Sequence, residues 1–170
     1  MIVGSGVHSA QIHSVPTDRK IEYGDIILLD FGCIVEEYCS DISRTIFVGE
    51  VKPEYKEIYD IVLKAQLAGI EKITSGITAK EADFVCRNII NEAGYDFNHA
   101  LGHGVGKEVH ESPVISPKKE DVVMKNNMVF TIEPGIYLEE KFGVRIEDTV
   151  LLDEGKVIPL NKASKEIIVV

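Results

Sequence analysis

The chain has 170 residues, enough for one hydrophobic core and too few for two large domains. Its 45% hydrophobic and 27% charged content is that of a globular protein, while a net charge of −10 disfavours nucleic acid, whose phosphates demand clustered Lys and Arg. A peptide or small molecule fits better, with part of the negative charge neutralised by bound cations.

Cys33, Cys39 and Cys86 form no CxxC pair, and an odd count argues against a secreted disulfide framework; free thiols in a reducing cytoplasm are expected. The start MIVGSGVHSA has no basic segment followed by an apolar one, and no apolar run approaches the length that spans a bilayer. The reading is a cytoplasmic protein with no membrane partner.

In chain order, DIILLDFG (Asp25 to Gly32) is a short apolar run ended by Gly and predicts a buried strand, and Ser40 to Val48 predicts a second. From Pro53 to Gly76 apolar residues recur at Tyr55, Ile58, Val62, Ala65, Gly69 and Ile73, a helical period with Pro53 suited to the first turn. Thr78 and Glu81 predict a capping box, opening a second helix through Val85, Ile89 and Ala93 to Gly94. The Gly-rich HALGHGVGKEVHE follows, then the strand-like MVFTIEPGIY and GVRIEDTVLL joined by the polar turn LEEKFG. Helix, helix, strand, strand, strand thus follows an opening of three strands, which suggests two related halves, the first without its helices.

The acids at the strand ends carry the chemistry. If Asp30 and Asp41 lie on two arms of an antiparallel hairpin, the midpoint falls at Val35 and Glu36, where IVEE would turn; for Glu133 and Glu147 it falls at Glu140, inside LEEKFG. Carboxylates facing one another repel unless something positive lies between them. Four carry about −4, which two divalent ions would neutralise, and oxygen donors suit hard ions such as Mn²⁺.

Only five histidines occur, and three, His99, His103 and His110, fall in twelve residues among glycines that would let backbone approach a metal and substrate closely. GHGVGKE lacks the glycine spacing and the Ser or Thr of a phosphate loop.

Together DFG, SDISRT, GHGVGKEVHE, EPG and VRIEDTVLL resemble, in order and spacing, the metallopeptidases of the pita-bread fold, which include methionine aminopeptidase, aminopeptidase P and prolidase. The resemblance runs from IVGSGVHSAQIH to VRIEDTVLL, nearly the whole chain. It implies an α+β fold of two pseudo-symmetric halves around a curved antiparallel sheet, the first half lacking its helices, in a single catalytic domain over 1–170 that is N-terminally truncated relative to the family. It implies five ligands for two divalent ions, Asp30, Asp41, His103, Glu133 and Glu147, with Asp41 and Glu147 spanning both ions. Mn²⁺ is the expected metal, with Co²⁺ or Zn²⁺ as alternatives. Such ions acidify a shared water and polarise the scissile carbonyl, and Glu133 would move the water's proton to the leaving amine. His13 and His110 resemble the family's non-ligand histidines that bind substrate and stabilise the tetrahedral intermediate; His8 has no such counterpart.

His99, Tyr137 and Arg145 resemble positions of the proline-specific members, with a plain counter-charge to the acid cluster as the alternative for Arg145. The expected activity is hydrolysis of the N-terminal bond of Xaa-Pro peptides, with dipeptidase and aminopeptidase both open. The alternatives are methionine aminopeptidase-type activity and a non-catalytic peptide-binding relative or inactive fragment. Strand alternation places Ile26 and Leu28 on the side of Asp30 and turns Ile27, Leu29 and Phe31 to the other face. The helices from Pro53 to Gly94 serve the second half, so a second copy of the chain or a separately encoded or removed N-terminal segment is expected to cover that face, and the chain alone to self-associate and to have weak or no activity.

Overall fold

The computed structural model describes all of residues 1–170. Strand β1 (Ile2–Ser5) and a short 3₁₀ turn, Gly6–Ala10, precede β2 (Ile26–Phe31). A two-stranded ribbon, β3 (Ile34–Val35) and β4 (Tyr38–Cys39), leads to β5 (Ile42–Phe47). Helices α1 (Pro53–Lys72) and α2 (Ala79–Glu92) follow, then β6 (Gly102–Gly104), β7 (Glu111–Ile115), β8 (Val129–Ile132), β9 (Gly135–Leu138), β10 (Phe142–Arg145), β11 (Glu147–Asp153) and β12 (Lys156–Pro159). The main sheet runs β1-β2-β5-β11-β8-β6-β7, with β12 also on β11. All its pairings are antiparallel. The two halves meet where β5 and β11 pair, at only two positions, Ser43 with Glu147 and Ile42 with Asp148.

Each half is built as one long hairpin whose tip is a ribbon. The register that pairs Ile132 with Asp148 continues through Leu138 with Phe142, so Glu133 and Glu147 occupy facing positions as expected. The first hairpin differs by two residues from the expected pairing. Asp30 faces Ser43, and the same register pairs Ile34 with Cys39, which centres the turn on Glu36 and Glu37. Asp41 therefore lies diagonal to Asp30 rather than opposite, two residues along and on the same face.

Helix α1 buries every apolar position of its period, Tyr55, Ile58, Val62, Ala65, Gly69 and Ile73. It ends at Lys72, before the expected Gly76, which turns the linker at a φ of 97°. The Thr78 and Glu81 capping box opens α2. The buried side of α2 is Ala82, Asp83, Cys86 and Ile90, with Val85 and Ile89 at its rim. Close approach of α1, α2 and the sheet depends on Gly69, where a Cβ would lie 2.8 Å from Cys86 Sγ and 2.9 Å from Ile132 Cγ2. That core of 25 residues holds Ile132 and Ile146, the neighbours of two acids, and each large apolar side chain in it contributes roughly 1.5 to 3 kcal/mol. A packed core thus forms the floor on which the site is built.

The far face of the first half is less bare than alternation suggested. Ile27 is buried and Leu29 half-buried within the chain, whereas Val3 and Phe31 remain exposed. Ile26 joins the helix-packed core, because its partner Phe47 packs on Tyr55 and Tyr59 of α1.

Candidate metal centre

Asp30 is the next-to-last residue of β2, Asp41 precedes β5, Glu133 follows β8, Glu147 begins β11 and His103 is the middle residue of β6. Strand ends deliver these side chains to one pocket, which they line together with His13, His110 and Arg145. One ligand atom each from Asp41, His103 and Glu147 lie within 4.8 Å of one another. His103 Nε2 lies 3.3 Å from Glu133 Oε1 and 3.7 Å from Asp41 Oδ2. The fourth acid, Asp30, shares the pocket, but its Oδ2 receives Arg145 Nη2 at 2.6 Å.

The glycines around His103 act differently from the expectation. A Cβ on Gly102 would sit 2.0 Å from Thr131 O, and one on Gly104 would sit 2.2 Å from Ser112 O. They let β6 press against β8 and β7, so the close approach is between strands and not toward a metal.

Three observations test whether a cation fits. His103 Nδ1 lies 3.0 Å from Gly104 O, which can only accept; Nδ1 therefore carries the proton of the neutral ring, and the Nε2 lone pair points at the carboxylates. Burial lowers the His103 pKa, so the ring prefers that neutral form. Burial first, then repulsion from Asp30, pushes Asp41 up to about 6. Burial likewise pushes Glu133 up to about 8, against the opposing pull of Arg145 and Thr131. Glu147 is raised well above the usual carboxylate range by burial and by Glu133 and Asp41. A cluster of lone pairs that resists its own negative charge, on hard oxygen donors plus one imidazole, is a donor set for divalent cations.

Around the acids runs a set of oriented hydrogen bonds. Ser43 Oγ donates to Glu147 Oε2 at 2.5 Å and accepts Arg145 Nε at 2.9 Å. Thr131 Oγ1 donates to Glu133 Oε1 at 2.9 Å and accepts the His103 N–H. Behind the seam, all of the Arg44 guanidinium nitrogens are used: on the carbonyls of Ser43, Glu147, Ala163 and Ser164 and on Asp148. The sequence reading missed Ser43, Thr131 and Arg44. The alternation of Asp41, Ser43 and Thr45 on one face of SDISRT is the signal that points to the first.

His99, Tyr137 and Arg145 form a chain. Arg145 Nη1 donates to Tyr137 Oη at 2.8 Å, and His99 Nε2 lies 3.0 Å from the same oxygen. His99 Nδ1 donates to Ala100 O at 2.8 Å, so Nε2 accepts from the phenol. Burial lowers His99 to about 4 and raises Tyr137 to about 12, keeping both neutral. Burial lowers the Arg145 pKa, but Tyr137, Asp30 and Glu147 outweigh it and the net shift is upward. Arg145 thus does counter an acid, Asp30, besides contacting Tyr137. His110 is exposed, its ring centroid 4.2 Å from that of His103, and His13 is exposed on the pocket lining.

A curved antiparallel sheet backed by two helices, with acids and one histidine gathered at its strand ends, defines a metal-site protein of the pita-bread class. The chain belongs to metallopeptidase family M24, whose pattern residues 1–154 match. It is 50% identical over 169 residues to a Xaa-Pro dipeptidase of Pyrococcus horikoshii, covering 98% of this chain and 48% of that protein. A prolidase of Thermococcus sibiricus superposes with a TM-score of 0.96 at 47% identity over 99% of this chain and 46% of the other. An X-Pro aminopeptidase of Thermotoga maritima superposes with a TM-score of 0.95 at 47% identity, over 99% and 48%. The chain spans about half the length of the relatives it matches.

Proposed function

We propose that the chain carries the catalytic centre of a two-metal peptidase that hydrolyses the N-terminal bond of peptides with proline second. The observation that carries this reading is the convergence of Asp41, His103 and Glu147 within 4.8 Å, with Glu133 against His103 and Asp30 in the same pocket. Asp30, Asp41, His103, Glu133 and Glu147 would hold two divalent ions, Mn²⁺ first, with Co²⁺ or Zn²⁺ as alternatives. When bound, such ions acidify a water and polarise the scissile carbonyl. Glu133 holds and moves a proton at Oε1, the oxygen oriented by Thr131. His110 and His13, exposed on the pocket, face the substrate and stabilise charge developing on its carbonyl oxygen.

Proline selectivity is assigned to the chain of His99, Tyr137 and Arg145, and the proline-specific names of the compared proteins support it. Those names include both dipeptidase and aminopeptidase, so peptide length is left to the assay. A cytoplasmic setting is supported by three free cysteines, and no helix is long and apolar enough to cross a membrane. Exposed Val3 and Phe31 support a cover over the first half of the sheet, from a second copy or a separate N-terminal segment.

The test combines elemental analysis with hydrolysis of Xaa-Pro dipeptides, longer Xaa-Pro peptides and Met-Ala peptides. Bound Mn²⁺ with cleavage of Xaa-Pro substrates is expected. Preferential cleavage of Met-Ala peptides would transfer the protein to the methionine aminopeptidase alternative. Bound metal with peptide binding but no turnover would leave a non-catalytic relative.

A further inference from the structure

Helix α2 carries a buried ion pair outside the metal-site pocket. Asp83 is fully buried, its Oδ1 receives Arg87 Nη2 at 2.9 Å, and its Oδ2 receives Arg87 Nε. Such a pair is weak as a stabiliser, because desolvation offsets its attraction; its outward contacts are more informative. All of them go to one segment, the irregular stretch between α2 and β6. Arg87 Nη1 donates to Phe97 O and Nη2 donates to His99 O at 2.7 Å, while the guanidinium lies 4.4 Å from the Phe97 ring centroid. Asp83 Oδ1 also accepts the Leu101 N–H at 3.1 Å.

We infer that Asp83 and Arg87 are positioning residues for the site, holding His99 through one arm and Glu133 through the other. The first arm runs from Arg87 to the His99 carbonyl. The Phe97 ring meets the His99 ring edge-on at 4.8 Å between centroids, and His99 Nε2 then receives Tyr137 Oη. The second runs from Asp83 to the Leu101 N–H, and the carbonyl of Leu101 accepts the Glu133 N–H at 2.9 Å. Glu133 lies beyond the end of β8, so this bond fixes its main chain where the ladder has stopped. Two side chains one helical turn apart therefore reach two functional residues that are 34 positions apart in the sequence.

The inference rests on the functional reading above only for its kinetic consequence, and the experiment separates the two. Arg87→Met keeps the stem and removes the donors; Arg87→Lys keeps the charge and part of the bonding. In the Mn²⁺-loaded protein, Arg87→Met should lower kcat/KM for a Xaa-Pro dipeptide about tenfold to hundredfold, the order expected for a displacement of about 1 Å. Arg87→Lys should recover part of the loss. Combining Arg87→Met with His99→Gln should add little to His99→Gln alone, because both break one arm. Without metal or substrate, long-range ¹⁵N correlations of the His99 ring should show one neutral tautomer protonated at Nδ1 in the unmodified chain and tautomer averaging in Arg87→Met. Should the unmodified chain neither bind Mn²⁺ nor hydrolyse any Xaa-Pro peptide, the functional reading fails while the NMR comparison still decides the positioning role. An unchanged His99 tautomer signature in folded Arg87→Met, or losses that multiply in the double variant, would overturn the inference.

Discussion

Ser43 Oγ lies 2.5 Å from Glu147 Oε2, across the single place where the two halves of the sheet pair directly. The hydroxyl has one proton; with Arg145 Nε donating to its oxygen at 2.9 Å, that proton goes to Glu147. Ser43 thus fixes which Glu147 oxygen stays free for a cation. Ser43→Ala is expected to weaken Mn²⁺ binding by about tenfold to hundredfold, the usual cost of losing a hydrogen bond behind a ligand, with the fold intact. Titration calorimetry of the metal-stripped chain reads it. Affinity equal to the unmodified protein would remove Ser43 from the site.

Metal removal should act on stability as well as on turnover. The pocket gathers four carboxylates, and the burial that raises Asp41, Glu133 and Glu147 also opposes their ionisation. Adding Mn²⁺ to chelator-treated protein should raise the Tm with metal concentration, the unfolding free energy rising by about 2.7 kcal/mol per site at a hundredfold excess over Kd. Loss of that dependence in Asp41→Asn and Glu147→Gln would tie it to these ligands. A Tm indifferent to Mn²⁺ would contradict the two-metal reading.

The two hairpins show why part of the site was legible and part was not. The Glu133 and Glu147 pairing follows from an unbroken register about LEEKFG. The Asp30 and Asp41 pairing is displaced by two residues because the turn forms on Glu36 and Glu37, at φ of 49° and 70°. Such angles favour Gly or Asn, so IVEE carries no turn signal and its centre is invisible in the sequence. The two-residue period still leaves both aspartates on one face, which is why Asp30 and Asp41 line the same pocket despite the shift. On α2, the expected apolar stripe through Val85, Ile89 and Ala93 conceals a buried face of Ala82, Asp83, Cys86 and Ile90. That stripe gives no signal for Asp83 and Arg87, whose hydrogen bonds are taken up by the distant stretch from Phe97 to Leu101.

Replacing His99 and replacing Arg145 should have different consequences. His99→Ala removes the acceptor of Tyr137 Oη and should depress Xaa-Pro cleavage with metal stoichiometry near that of the unmodified chain. Arg145→Ala also leaves Asp30 without its 2.6 Å partner and strips a donor from Ser43. Because Arg145 is 2% exposed but the Asp30 side chain keeps 24% of its exposure, breaking the pair should cost about 1 to 3 kcal/mol of stability and disturb metal binding. Denaturant unfolding and metal analysis of both variants would show the contrast. Equal effects on the two would mean that Arg145 serves substrate alone.

The acid side of the stability profile should report on His99. Its folded pKa of about 4, lowered first by burial, lies below the ordinary histidine value near 6.5. Between these values the unfolded chain binds the proton and the folded chain does not. The stability present above about pH 6.5 is therefore lost as pH falls toward 4. In the His99→Gln variant the decline between pH 7 and 4 should be shallower. Parallel profiles of the two proteins would mean that His99 is not held neutral.

The exposed face of the first half should drive self-association. Val3 is 38% exposed and Phe31 43%, on strands β1 and β2 at the edge of the sheet, while Ile34 and Val35 at the hairpin tip are more exposed still. Ile27 and part of Leu29 are already covered, so the surface needing a cover is narrower than alternation implied and lies toward Phe31. Apolar surface of this kind on a free edge favours association. In sedimentation the 170-residue chain should show a concentration-dependent mass above its 18.8 kDa, and Phe31→Ser with Val3→Ser should shift it toward monomer. Supplying a covering N-terminal segment in trans should have the same effect if that segment is the natural cover, and should raise peptidase activity with it. A stable monomer whose mass does not change with concentration would show that the chain closes this face by itself.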